Sequence, residues 1–324
     1  MDRLGRCAVQ KKLHGCYHSA PNKKQNNHSH MSIPRSSDDG GSSAVPTTGP
    51  TPSLPAFPLL GITVRRLGRL VDELPGGRQS LAGLEMYKLW RGGVLDPLSD
   101  PTKPSLCERL QAEGDAGVGI ATWFVSYTAK EIFLDLLDAL EIFFEGEAQG
   151  LDTVVWFSLA SKNIFEDRDS RLHLVKYIVQ GTRNLVVFMS TWDKPIALTR
   201  AWCLWELYCC CSCGGRVEFA LPRAQRVQLM EVMRSNPATF FDIIAALRSE
   251  NSTATNASFR EAVFAAISAE VGFSGLDTMV RRALWDWMER LLRAKIEEAR
   301  CAGKEEEAAG LLNAVGMLHS HRGG

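Results

Sequence analysis

Apolar and polar positions along this 324-residue chain follow two different periods, and the change between them divides it. From Ile62, apolar residues recur at three- and four-residue steps (Val64, Leu67, Val71, Leu74) until Pro75-Gly76-Gly77 closes the segment. That spacing predicts an amphipathic helix with its stop signal. A second short helix is expected over 81–90, before Pro97, Pro101 and Pro104 break the chain. Near Thr122 the pattern changes. Thr122–Tyr127 is a short apolar run rich in strand formers. Over Lys130–Glu145 a helix is predicted, with Ile132, Phe133, Leu136, Leu137, Leu140 and Phe144 on one face. Glu131, Asp135, Asp138 and Glu145 share the other, which reads as solvated. Asp152–Leu159, Asn184–Ser190 and Arg216–Leu221 are predicted strands, and 171–180 and Thr199–Cys213 predicted helices, the last ended by Gly214-Gly215.

Strands of five to eight residues alternating with longer helices imply β-α-β crossovers and a parallel sheet. Strands apolar on both faces fit a sheet covered by helices on both sides. The expected fold class is therefore α/β, a flavodoxin-like doubly wound parallel sheet with flanking helices. After Pro222 the pattern is helical, with expected helices at 222–234, 238–249, 257–270 and 277–299; Phe240–Ile244 also reads as a fifth strand. The expected organisation is a disordered basic tail (1–56), a small helical preamble (57–112), the α/β domain (113–225), a helical extension (226–300) and a helical tail (301–324).

Composition narrows the function classes. Thirty-seven basic and thirty-seven acidic residues cancel, which argues against a dedicated nucleic-acid binder. No uninterrupted apolar stretch approaches the roughly 18 residues that a membrane span needs. Residues 1–56 carry seven bases, three acids and few branched apolar residues, the composition of a disordered segment. The expected location is cytoplasmic, although the acid-poor start is also compatible with an organellar transit peptide. Six of seven histidines lie in the tails and only His173 in the globular part, which argues against a histidine-based triad. Five of nine cysteines (Cys203, Cys209, Cys210, Cys211, Cys213) crowd one helix. Cys210 and Cys213 lack a second Cys or His pair to complete four zinc ligands, so they read as small buried thiols and no metal site is assigned. Gly114, Gly117 and Gly119 precede the first predicted strand instead of following it, and read as a hinge.

One residue breaks the pattern. In Ala201–Gly215 the only charge is Glu206, whose neighbours at three and four helical steps are Trp202, Cys203, Cys209 and Cys210. A helix apolar around its circumference is normally buried, and a buried carboxylate without a partner is costly. Glu206 therefore needs either a partner, for which Arg183 and Arg200 are candidates, or a cleft to face.

Three motifs carry a resemblance. Phe124-Val-Ser-Tyr127 resembles the first-strand motif of Toll/interleukin-1 receptor (TIR) domains. Val186-Val-Phe-Met-Ser190 is similar to their strand before the third helix, and Trp202-Cys-Leu-Trp-Glu-Leu207 to the Trp-Cys-Leu-x-Glu-Leu signature of plant- and algal-type members. The likeness covers about residues 120–225, roughly a third of the chain. It departs at Ser161–Asp169, where the family often carries Arg-Asp-x-x-Pro-Gly, and at Thr128, Ala129 and Lys130, which replace arginines of some active members. Leu311-Leu-Asn-Ala-Val-Gly316 resembles the first helix of a kinesin-light-chain-like tetratricopeptide repeat, whose solenoids need about three stacked repeats.

The resemblance implies a signalling protein that cleaves the nicotinamide N-glycosidic bond of NAD, with NAD as substrate and no cofactor. The glutamate of the helix signature, catalytic in the NAD-cleaving members, falls on Glu206. Ser126, Tyr127 and Thr128 would sit at the ligand-binding edge of the sheet, Lys130 would meet a phosphate, and Trp202 would form an aromatic wall. The alternatives are a non-catalytic module that self-associates and scaffolds protein partners, or an unrelated nucleotide-binding α/β protein.

Overall fold

The segment that begins as a helix in the sequence pattern divides in two. Leu60–Thr63 is buried at every position and forms strand β1. Helix α1 (Val64–Glu73) starts where the Thr63 hydroxyl accepts a hydrogen bond from the Arg66 amide at 3.1 Å. The expected stripe is in place: Val64, Leu67 and Val71 are buried. Short helices α2 (Gly77–Ser80), α3 (Met86–Arg91) and α4 (Leu106–Ala112) follow, the last opened by a capping box between Ser105 and Glu108. The computed structural model describes residues 59–91, 104–161 and 168–322; the tail expected to be disordered lies outside them.

The glycines read as a hinge instead flank and enter a strand, β2 (Val118–Ile120). The rest of the sheet is β3 (Trp123–Ser126), β4 (Val154–Trp156), β5 (Asn184–Phe188) and β6 (Arg216–Ala220). Between them run α5 (Phe133–Glu145), α6 (Ser158–Ser161), α7 (Arg168–Thr182) and α8 (Ala201–Ser212). Then come α9 (Arg223–Ser235), α10 (Ala238–Ala245), α11 (Ala257–Glu270), α12 (Gly272–Cys301) and α13 (Glu305–Arg322). Phe240–Ile244 is thus helix and not a fifth strand.

The six strands lie in the order β2-β1-β4-β3-β5-β6. The last four are mutually parallel, whereas β1 pairs antiparallel with both β2 and β4. The sheet is mixed and mostly parallel, which corrects the expectation of a purely parallel one. From β3 the chain moves to one side for β4 and returns to the other for β5, so the winding reverses at β3. Side chains alternate across the strands as the pleat requires. Trp123, Val125, Val186 and Phe188 pack with α1 and α5 on one face. Phe124, Leu185, Val187, Val217 and Phe219 pack with α7, α8 and α12 on the other. α13 buries Ala308, Leu311, Ala314, Val315 and Leu318 in that second core, so the repeat-like segment covers the C-terminal helices.

One glycine shows how tightly β1 is held. A Cβ at Gly61 would lie 2.4 Å from the Val155 carbonyl oxygen and 2.9 Å from Ala121 Cβ. Gly61→Ala is therefore expected to force β1 from its register and destabilise the protein by roughly 2 kcal/mol or more, readable as a lowered urea midpoint. An unchanged midpoint would mean that the β1–β4 contact is slack.

Candidate active site

Glu206 lies on α8, whose first residues are placed by Arg200 in extended backbone conformation at its N-cap. Ala201, Cys203, Leu204, Trp205, Leu207 and Tyr208 are buried, as an all-round apolar helix requires. Trp202 and Cys211 are half-buried, and so is Glu206. Its side chain points at the end of β3, where the Ser126 hydroxyl donates to Glu206 Oε2 at 2.5 Å. No cationic side chain pairs with it among the described residues. Arg183 donates to the Cys213 carbonyl instead, and Arg200 to the hydroxyls of Thr253 and Thr255 at 3.0 and 2.8 Å. Desolvation against this apolar helix pushes the Glu206 carboxyl up to about 8, and the Ser126 bond offsets only part of that.

A cleft of about 180 Å³ opens beside this pair. Tyr127, Thr128 and Ala129 line it from the loop after β3, Trp202, Cys203 and Glu206 from α8, Ser158 from α6, and Arg200 and Thr255 from its rim. This is where an open α/β sheet receives ligands, at the carboxyl end of a strand about which the winding reverses. Trp202 is half-buried and meets Phe259 edge to face at 6.2 Å, leaving part of the indole on the cleft. The Tyr127 phenol shares a 2.5 Å hydrogen bond with Ser158 Oγ, while its carbonyl accepts the Cys203 thiol at 3.6 Å. Burial pushes the Tyr127 phenol and the Cys203 thiol well up, so both stay protonated.

Thr128 is the most informative lining residue. It is 6% exposed, and its Oγ1 has no hydrogen-bond partner. A buried hydroxyl left open costs roughly 1–3 kcal/mol; this oxygen is sealed from solvent beside the Glu131 carboxylate, so a ligand atom reaches it only if the loop after β3 shifts. The reason it is open lies in Glu131. Thr128-Ala-Lys-Glu131 has the T-x-x-E spacing of a capping box, and Glu131 Oε2 does accept from the Thr128 amide at 2.9 Å. The reciprocal bond is absent; the other carboxylate oxygen, Oε1, accepts from the Ser190 amide at 3.2 Å. One carboxylate thus ties the loop after β3 to the loop after β5. The Glu131 carbonyl also accepts from Met86 N, which docks the start of α3 on the same loop.

Four of the five expected binding residues meet at this cleft: Tyr127, Thr128 and Trp202 line it, and Ser126 holds Glu206. Lys130 does not; it is exposed and outside the lining. The acidic face of α5 also needs correction. Asp135 is exposed, but Glu131 is 3% exposed and Asp138 accepts the Arg223 amide that opens α9. The pattern missed Arg200, Ser158 and Thr255 as cleft residues; Thr255 arrives from 55 positions along the chain to bond Arg200. Glu131 alone left a signal, the T-x-x-E spacing. Of the five cysteines that crowd α8, Cys203, Cys209 and Cys210 are buried as expected, whereas Cys211 and Cys213 are half-buried. Comparison of the chain with protein-family models, curated proteins and solved structures finds no match in any of the three.

Proposed function

We propose that this chain is a TIR-like signalling protein whose cleft cleaves NAD to nicotinamide and ADP-ribose, with Glu206 as the essential carboxylate. The observation that carries the reading is an unpaired glutamate, held by Ser126, facing an open cleft at the carboxyl end of β3. The parallel strand order β4-β3-β5-β6 supports a flavodoxin-like, TIR-like core, with the three family-like motifs on β3, β5 and α8.

The chemistry asks little of the protein beyond charge placement. The bond from ribose C1′ to the pyridinium nitrogen breaks with its electron pair passing to that nitrogen, so nicotinamide leaves neutral and needs no strong general acid. Water then adds to C1′ and releases a proton. Glu206 hydrogen-bonds the ribose hydroxyls and stabilises the oxocarbenium-like positive charge between these events. Trp202 supplies a wall. A cleft of about 180 Å³ takes the nicotinamide ring, with the ribose at its mouth beside Glu206 and the pyrophosphate passing over Arg200, which assumes the phosphate role first read for Lys130.

The scaffold alternative draws on the edge strand β2, whose Ile120 is 71% exposed, a feature suited to self-association. One assay separates the two. Wild type and Glu206→Ala are incubated with NAD at high protein concentration and nicotinamide release is followed. Release by wild type and its loss in the variant are expected. No release by wild type overturns the enzymatic reading; equal release by both overturns the role of Glu206.

A further inference from the structure

A second cleft, of about 220 Å³, lies along the outer edge of the sheet between α5, β6 and α12, and shares no residue with the first. Its walls are apolar: Phe143 from α5, Phe219 from β6, and Trp287 and Leu291 from α12. Three guanidinium groups and two carboxylates also line it, Arg216 where β6 begins and Arg226 on α9 beyond its end. Arg216 makes a bidentate pair with Glu147 at 2.7 and 2.9 Å and also reaches Glu218 at 2.8 Å. Arg290 pairs with Glu218 at 2.9 Å and donates Nη2 to the Val217 carbonyl on the open edge of β6. Both carboxylates are thus neutralised by two of the arginines. The third, Arg226 on α9, is half-buried, and its guanidinium has no hydrogen bond or ion pair among the described residues. Burial disfavours its charge, with only a distant pull from Glu298 against it. An arginine stays protonated regardless, so the cleft carries one uncompensated positive charge next to aromatic walls.

We propose that this cleft binds a small organic anion, with its anionic head on Arg226 and a single aromatic ring against the half-buried Phe143 and Leu291. Size sets the class. Sites for drug-sized molecules run to about 300–1,000 Å³, and this cleft is smaller, enough for one ring and one head group. A planar fork of donors suits a phosphate or carboxylate, which it can bind through two parallel hydrogen bonds. The aromatic walls supply the apolar burial that inorganic phosphate cannot use.

Isothermal titration of the full chain with phenyl phosphate tests the proposal. Phenyl phosphate is expected to bind, inorganic phosphate at least about tenfold more weakly, and benzyl alcohol not measurably. Arg226→Gln should weaken phenyl phosphate about tenfold or more, the loss of a charged hydrogen-bond anchor. Ala294→Phe, at an exposed lining position, should block the mouth of the cleft with the guanidinium intact. Neither position is fully buried, so circular dichroism and melting should stay at wild-type values. Arg200→Gln, in the first cleft, should bind phenyl phosphate as wild type does. Absence of binding to wild type overturns the proposal, as does binding that survives Arg226→Gln and Ala294→Phe, or that falls only with Arg200→Gln.

Discussion

Glu206→Gln is expected to lower nicotinamide release from NAD at least about a hundredfold while making the fold more stable in alkaline solution. Both effects come from one buried carboxyl. Its value of about 8 in the folded protein stands against an ordinary 4.5. Between those limits the folded state holds a proton that the unfolded chain has lost, so stability falls as pH rises from about 4.5 to about 8 and is level beyond. The interval sets an upper bound of about 5 kcal/mol. Glutamine carries no charge at any pH and keeps an amide oxygen to accept the Ser126 hydroxyl, so it avoids this penalty. The melting temperature of Glu206→Gln should therefore match wild type near pH 5 and exceed it by roughly 5–10 °C near pH 9. The same gain at both pH values would show that desolvation of the ionised group is not its source.

The opposite sign of the two effects is what a working site requires. Stabilising an oxocarbenium charge needs the ionised carboxylate, the form that the apolar helix resists. Release by wild type should accordingly rise with pH and level off above about 8, measured as kcat/KM so that the free enzyme is reported. Once the cationic nicotinamide ring is bound beside it, the carboxylate is favoured, and the kcat profile should level off at lower pH. Instability at position 206 then accompanies function and is relieved only where function is lost.

How much of this was legible in the sequence depends on the physical range of each signal. β3, β5 and α8 were readable because their runs are apolar on both faces and bounded by glycine or polar residues, and β6 because Val217 and Phe219 alternate with Arg216 and Glu218, all local patterns. Glu206 was readable for the same reason, as one charge where the helix has no other. β1 and β2 were not, because four and three residues are too few for a period to declare itself. The apolar stripe of α1 begins inside β1 and absorbed it. Only the antiparallel pairing Leu60–Ile120, and the closeness of Gly61 to Val155, identifies these segments as strands. Lys130 lies outside the cleft lining because sequence distance from Ser126 says nothing about direction; after the turn it is exposed to solvent while Arg200, 70 positions on, lines the cleft. Arg200 itself read as a partner for Glu206, and the hydroxyls of Thr253 and Thr255 divert it. The charge of Glu131 fitted the polar face of α5, yet the residue lies one position before the helix N-cap, where the backbone turns it inward.

Glu131 also carries the second large expected effect. Its two oxygens accept the amides of Thr128, in the loop that lines the cleft, and of Ser190, in the loop after β5, and it is 3% exposed. Burial raises its carboxyl while the two amide bonds oppose the shift. Glu131→Ala removes both acceptors and strands two backbone donors, at roughly 1–3 kcal/mol each; we expect a net loss of about 2–4 kcal/mol, or about 5–10 °C in melting temperature. Glu131→Gln retains one good acceptor and turns a donor toward the second amide, so it should lose less than alanine but more than nothing. Because one of the loops it joins carries Thr128 and follows Ser126, loss of the tie should also loosen the Ser126–Glu206 pair without touching it. The discriminating readout is the pH dependence of release: freed from Ser126, Glu206 loses the one bond that favours its ionised form, and the alkaline rise in kcat/KM should move to higher pH in Glu131→Ala. A lower melting temperature with an unmoved pH profile would mean that Glu131 supports the fold but does not position the site.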